Sequence, residues 1–532
     1  MKNRSDKNMK INTKPESTTK VVNYMGEPAY ALQSKAKLVN LGTTLMFGEP
    51  KYYGDTTNEF LKTAAEVGSI DPEFLLKFAQ YLRTEMYLRT TPVVLLVETA
   101  NLTSSKGTGL VRKYAPHIIQ RADELAEAIS AQLKLFGKPI PASLKRGIND
   151  SFRQFNEYDF AKYNRKDEVK LKDVVRLTRP NPAQLNPVYV EKIMKDELDV
   201  PYTWEVEISK RGNKPEVWDE LILSKKMGYM ATLRNLNNMI RSGATELDTA
   251  LAYLTNEKAV INSKQMPYRY LSAYEAVGRN SETEFFEYDS SKVKRTKSAI
   301  ETALELSVLN NVPRIKGKTI IITDNSGSAR GDSGGISKMS MHSVRTMADI
   351  GNLLGLIGWY VSDNTAFGVF GDELIICKPD RSKGILENFA KVNEAGELVG
   401  QDTEHGVFTM LKKMINEKIF ADRIIVFSDL QIGDGKDQEY GLHGDRSISV
   451  PKLVKMYRQE VNPNFIYYSV SFNGYGNNVI VGDKTVLIGG WSDKLFKFIN
   501  TVEQDVNAQV KYIENTFGPR QKKTQFFEND EQ

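Results

Sequence analysis

Residues 318–328 read Lys-Thr-Ile-Ile-Ile-Thr-Asp-Asn-Ser-Gly-Ser, a β-branched run that stops at a carboxylate and continues as Asp-x-Ser-x-Ser. Such a run predicts a buried parallel strand. The alternation of Asp324, Ser326 and Ser328 lets the loop after that strand turn one carboxylate and two hydroxyls toward a single cation. Hard oxygen donors of this kind suit Mg²⁺, with waters completing the octahedron. A second apolar run, 422–430, ends at Asp429, and the polar loop 399–406 between the two carries Thr403 just before a helix-like stretch through Leu411. In a doubly wound sheet the carboxyl ends of several strands meet at one edge, where ligands bind. The alternative for Ser326 and Ser328 is that they cap the following helix.

Asp-x-Ser-x-Ser, then Thr, then Asp, on alternating strands and helices, resembles the metal-ion-dependent adhesion site of von Willebrand factor A-like domains over about residues 316–500. The resemblance implies a doubly wound parallel-sheet domain, 313–505, whose Asp324, Ser326, Ser328, Thr403 and Asp429 hold Mg²⁺ directly or through water. In such domains the metal awaits an acidic ligand from a partner protein. The family's Gly-Gly-Thr stands here as Gly400-Gln401-Asp402-Thr403, a departure that falls on Thr403.

The chain has 532 residues, more than one core accommodates, so two or three domains are expected. A single cysteine, Cys377, excludes a disulfide framework and a cysteine-based zinc site, and its apolar neighbours predict a buried strand thiol. The first twenty residues lack an apolar core and no stretch approaches membrane-spanning length, so the expectation is a cytoplasmic protein without membrane association. No hydrolase triad, P-loop or dinucleotide motif is present, and His117, His342, His405 and His443 are scattered. One cation with two serines also lacks the acidic cluster of two-metal phosphodiester cleavage, so no enzyme is expected. Arg330-Gly331-Asp332 reads as a flexible insertion.

The first three hundred residues have a helical signature. Asp71-Pro72 offers an N-cap and a first-turn proline, followed by Phe74, Leu75, Phe78, Ala79 and Leu82 on one face. Leu125, Ile129 and Leu133 recur at intervals of four before Gly137, and similar stretches lie near 91–103, 227–241, 246–255, 268–278 and 292–309. Gly68-Ser69-Ile70 and Ser242-Gly243 read as connections. The expected architecture is an α-solenoid of HEAT-like type, 25–312, after a flexible segment 1–24, with a partly disordered segment 506–532 at the end.

The charge excess is local. The whole chain carries +5, and residues 138–179 hold eleven basic residues against six acidic ones, which is also +5 (11 − 6). Lys145, Arg146, Lys162, Arg165, Lys170, Lys172, Arg176 and Arg179 lie there, with Tyr158, Phe160 and Tyr163 between them. That mixture suits a surface that follows phosphates and stacks bases, and equally a solvated helical face beside core aromatics.

Leu45-Met46-Phe47-Gly48, Trp204-Glu205, Glu216-Val217-Trp218, Leu233-Arg234-Asn235-Leu236-Asn237-Asn238-Met239, Asn256-Glu257-Lys258 and Met266-Pro267-Tyr268-Arg269 together resemble the TROVE domain of Ro ribonucleoproteins. A TROVE-like part followed by an A-like domain is the Ro arrangement. The resemblance implies a ring of helical repeats closed by the A-like domain, and a monomer. It also implies single-stranded 3′ ends of misfolded small RNAs held in the ring's hole, and Y-like noncoding RNA on a basic outer surface. It further implies an exoribonuclease partner such as polynucleotide phosphorylase, in RNA quality control or storage. Lys162, Tyr163 and Arg176 match the family's basic region, Leu171 stands where the family has histidine, and Arg234 and Asn235 lie in the most specific motif. For those last two, RNA contact and the tying of helix ends are both open.

Overall fold

The computed structural model describes residues 20–22, 28–31, 34–44, 50–164, 169–180, 187–265, 267–280, 285–331, 345–401, 406–428, 450–471, 477–478, 484–489, 495–496, 499 and 508–519. Its strands are β1 (Lys20–Val22), β2 (Pro28–Ala31), β3 (Ile315–Asp324), β4 (Ser362–Phe370), β5 (Leu374–Cys377), β6 (Arg423–Ser428), β7 (Ile466–Ser471), β8 (Asn477–Asn478) and β9 (Thr485–Gly489). The first sheet, β1-β2-β8, is small and antiparallel. The second has six strands in the order β5-β4-β3-β6-β7-β9. Its strands β4, β3, β6, β7 and β9 are parallel, and β5 closes one edge antiparallel to β4.

Strand alternation decides how this sheet is covered. Ile321, Ile425 and Phe427 turn to one face, where they meet Leu353, Leu356 and Ile357 of the helix Met347–Val361. Ile320, Ile322, Ile424 and Val426 turn to the other, against Leu411 and Met414 of the helix Gly406–Asn416 and Leu453 of the helix Val450–Glu460. Both faces are covered, so β6 is buried along its whole length. The chain leaves β3 toward β4 and β5 and then returns to β6 on the other side, so the topological switch lies between β3 and β6.

The helices arise largely where periodicity predicts them. Asp71 accepts from the Phe74 N–H at 3.0 Å, Pro72 opens the helix Pro72–Thr84, and Phe74, Leu75, Phe78, Ala79 and Leu82 are buried. The helix Ala122–Leu135 buries Leu125 and Ile129, and Gly137 follows in the left-handed region at φ +69°. Two local readings change. Gly68-Ser69-Ile70 is not a connection, because the helix Pro50–Ile70 runs through it and breaks only at Asp71. Gln132 is fully buried one residue before the expected Leu133, its amide paired with Asn101 of the helix Thr90–Asn101 at 2.8 Å.

Packing divides the chain into two compact units, one of residues 1–44, 48–53 and 202–509, the other of residues 45–47, 54–201 and 510–532. No division falls at 312. Trp218, Tyr270 and Leu304 belong to the same buried cluster as Ile321, Leu356 and Val470, so the helices of 204–311 and the large sheet share one core. Their contact is also polar: Glu301, from the helix Ser290–Asn311, accepts from the Leu386 N–H at 3.0 Å and caps the helix Ile385–Gly396. The final segment is not featureless. The helix Ala508–Thr516 buries Ile513, and the Phe517 ring lies 5.6 Å from that of Tyr81. Residues 520–532 and 1–19 lie outside the described residues.

Candidate metal centre and nucleic-acid interface

Asp324 ends β3 at the switch point, and Ser326 and Ser328 follow it at the start of the short helix Gly327–Arg330. Asp324 and Ser326 are buried. The Asp324 Oδ1 accepts from the Ser326 N–H at 2.9 Å, and its Oδ2 accepts from the Ser428 hydroxyl at 2.7 Å. The Oγ atoms of Ser326 and Ser328 are 3.1 Å apart. Ser326 occupies the N-cap position, yet its hydroxyl makes no capping bond; it faces Ser328 instead.

This donor set fits a hard cation. Two ligands on adjacent corners of an octahedron with Mg–O of about 2.1 Å stand roughly 3 Å apart, close to the 3.1 Å between the two serine oxygens. Burial pushes the Asp324 carboxyl above its ordinary value, against hydrogen bonds from Ser326 and Ser428 and the charge of Arg330. A cation held there would relieve that cost by supplying counter-charge where water is excluded. Thr403 and Asp429, the other two expected ligands, lie outside the described residues. Ser428, directly before Asp429, was not singled out by sequence reasoning; its position as the last residue of the second apolar run was the available signal.

The loop that leads to Thr403 is fastened to the Asp324–Ser328 loop. Gly327 N–H donates to Gln401 O at 2.8 Å, and the Arg330 guanidinium donates to Gly396 O at 2.8 Å and Gly400 O at 3.0 Å. Arg330 is therefore half-buried framework rather than part of a flexible insertion. Gly400 sits at φ +86°, and a Cβ there would lie 2.0 Å from Asp372 Oδ2, which accepts the Gln401 N–H. Cys377 is half-buried on the edge strand β5, and burial pushes its thiol up to about 11, which suits an inert side chain.

The basic residues lie on three helices of the other compact unit, Ala142–Phe152, Glu157–Tyr163 and Leu171–Thr178, and in the turns that follow them. Phe160 is core. Tyr163 is half-buried, with the Arg121 guanidinium 4.3 Å above its ring, and Lys162 Nζ lies 5.5 Å from the Tyr158 ring. The Asn149 amide donates to Thr178 O at 3.1 Å, which brings the ends of two of these helices together, with Arg146 and Arg179 exposed on them. Lys172 pairs with Asp196 at 2.6 Å and Arg176 with Asp173 at 3.6 Å. Among the described residues, Lys145, Arg146, Lys162, Lys170 and Arg179 have no carboxylate within ion-pair distance. Arg165 lies outside the described residues.

The helix Tyr229–Ser242 separates the last two expected RNA contacts. Arg234 is exposed. Asn235 is buried; its amide donates to Ala231 O at 2.9 Å and its oxygen accepts from Asn238 at 3.0 Å. It ties its own helix together and presents nothing outward.

Comparison with known proteins bears on both units. Rat telomerase protein component 1 is 26% identical over 312 residues, covering 41% of this chain and 12% of that protein. The mouse protein of the same name is 25% identical over 315 residues, covering 42% and 12%. The chain thus spans only about an eighth of these relatives' length. The crystal structure of the Deinococcus radiodurans RO (RSR) protein matches in fold, with a TM-score of 0.57 at 14% identity over 86% of this chain and 97% of that one. The TROVE domain profile matches residues 5–196 and 182–287, more than half of the sequence, and the chain belongs to the TROVE-domain family.

Proposed function

We propose that this protein binds small noncoding RNA and keeps a Mg²⁺ site in its A-like part for a second role. The observation that carries the first half is the group of cationic side chains Arg146, Lys162 and Arg179, exposed, without carboxylate partners among the described residues, and interleaved with Tyr158 and Tyr163, in a TROVE-family chain. Unpaired cations release counterions when they meet phosphates, and exposed rings accept bases without regard to sequence. The RNA features that fit are Y-like structured RNA and single-stranded 3′ ends, the latter in the hole that the Ro resemblance implies. No helix among the described residues is long and apolar enough to cross a membrane.

The test is binding of the full chain to a labelled RNA duplex with and without a single-stranded 3′ tail, across salt concentrations. Wild type is compared with the triple charge reversal Arg146→Glu, Lys162→Glu, Arg179→Glu. Tail-dependent, salt-sensitive binding that the reversal weakens supports the reading. Equal binding by the two proteins, or none at low salt, overturns it.

A second reading rests on the convergence of Asp324, Ser326 and Ser328: Mg²⁺ held there grips a carboxylate of a partner protein, an exoribonuclease among the candidates. If this is the principal role, Asp324→Ala abolishes Mg²⁺-dependent partner capture and leaves RNA binding as it was.

A further inference from the structure

Strand alternation gives the metal loop a second side. Asp324 and Ser326 meet on one side at the switch point, and Asn325 between them turns inward, buried. Its amide meets that of Asn352, from the helix Met347–Val361, in a reciprocal pair: Asn325 Nδ2 donates to Asn352 Oδ1 at 2.9 Å, and Asn352 Nδ2 donates to Asn325 Oδ1 at 2.8 Å. Asn352, fully buried, also accepts from the Thr323 hydroxyl at 2.5 Å and donates to Asn393 Oδ1 at 2.8 Å. Asn393 in turn donates to Asp349 Oδ1 at 3.0 Å, and Asp349 closes a capping box with Thr346. The next residue back, Arg345, is paired with Glu275 in the helix Pro267–Ala276. A continuous polar chain thus runs from the metal loop to a helix of the TROVE-matched region, within one compact unit.

We propose that Asn352 is the positioning residue of the metal site. Among the described residues it bonds to none of the expected ligand oxygens of Asp324, Ser326 and Ser328; it holds the backbone from which those oxygens project. The Asn325 N–H also donates to Phe370 O at 2.7 Å, which fixes the loop to β4. With Asn325 held at both its backbone and its side chain, the segment from Asp324 to Ser326 has little freedom, and the serine oxygens keep their spacing. The site is built to admit this amide: a Cβ on Gly396 would lie 2.2 Å from Asn325 Oδ1. Outer-shell partners that orient ligands commonly change metal affinity by about 10- to 100-fold when removed. Valine- or leucine-lined cores need no such network, and a buried polar network left partly satisfied costs stability. Its place behind the metal loop is therefore accounted for by orientation of the loop.

The inference rests on the Mg²⁺ reading of Asp324, Ser326 and Ser328, and the experiment separates the two. Mg²⁺ and Mn²⁺ binding to the full chain is measured by calorimetry for wild type, Asp324→Ala, Asn352→Leu and Asn393→Ala, with circular dichroism for fold. The expected result is binding by wild type, none by Asp324→Ala, and affinity reduced about tenfold or more in folded Asn352→Leu. If Asn352→Leu does not fold, Asn393→Ala, at a half-buried position, carries the test with an expected loss of about threefold. A folded variant that binds the metal as wild type does overturns the inference and leaves the metal site standing. Absence of binding by wild type overturns both.

Discussion

The Ser428 hydroxyl donates to Asp324 Oδ2 at 2.7 Å, joining the last residue of β6 to the last residue of β3 across the switch point of the sheet. This contact keeps one carboxylate oxygen satisfied in a dry site. Ser428→Ala removes it and leaves a buried acceptor short of a donor, a loss of about 1–3 kcal/mol. Urea denaturation of the variant should show a lower midpoint with an unchanged slope.

Gly400 is a stricter constraint. Its φ of +86° and the 2.0 Å that a Cβ would leave to Asp372 Oδ2 both reject a side chain. Gly400→Ala should destabilise by about 1–3 kcal/mol and detach the loop that leads to Thr403. Thermal unfolding reads the first effect, and a weaker Mg²⁺-induced rise in Tm reads the second.

Glu301 and its helix cap give a pH dependence. Burial pushes this carboxyl from 4.5 up to about 7, against the Leu386 N–H and with repulsion from Glu305. The folded chain keeps a proton that the unfolded chain releases, so this contribution is complete below pH 4.5 and is lost as pH rises through about 7. Glu301→Gln has no proton to lose. The fall in stability between pH 5 and pH 8 should shrink in the variant by on the order of 2 kcal/mol, as measured by denaturation at both values.

Arg234 and Asn235 are neighbours with opposite expectations. Asn235→Ala opens the bonds to Ala231 and Asn238 and should lower stability by about 1 kcal/mol, with RNA affinity unchanged. Arg234→Ala, at an exposed position, should leave Tm within a degree or two and reduce RNA affinity. Filter binding and thermal unfolding on both variants decide the matter.

Lys172 and Lys162 separate paired from unpaired cations. Lys172 already faces Asp196 at 2.6 Å, whereas Lys162 faces rings. Lys162→Ala should reduce the salt slope of RNA binding by roughly 0.7 in log units, the share of one phosphate contact, and Lys172→Ala by less. Affinity titrated against salt for the two variants gives the comparison.

Local chemistry was legible in the sequence. The β-branched run before Asp324 could only bury as a strand, the Asp-Pro pair at 71–72 could only open a helix, and the spacing of Asp324, Ser326 and Ser328 already placed three oxygens on one loop. These features rest on periodicity and on neighbours within a few residues, which a one-dimensional reading contains. Contacts between distant residues were not legible. Nothing in the order of residues says that Asn325 pairs with Asn352 and Asn352 with Asn393, that Ser428 reaches Asp324, or that Asn235 turns inward while Arg234 turns outward. Nor does it say that the helices of 204–311 share a core with the sheet while 510–532 belongs with 54–201. Buried polar pairs and shared cores form only when segments far apart in the chain are brought together and water is excluded between them, so tertiary structure alone decided them.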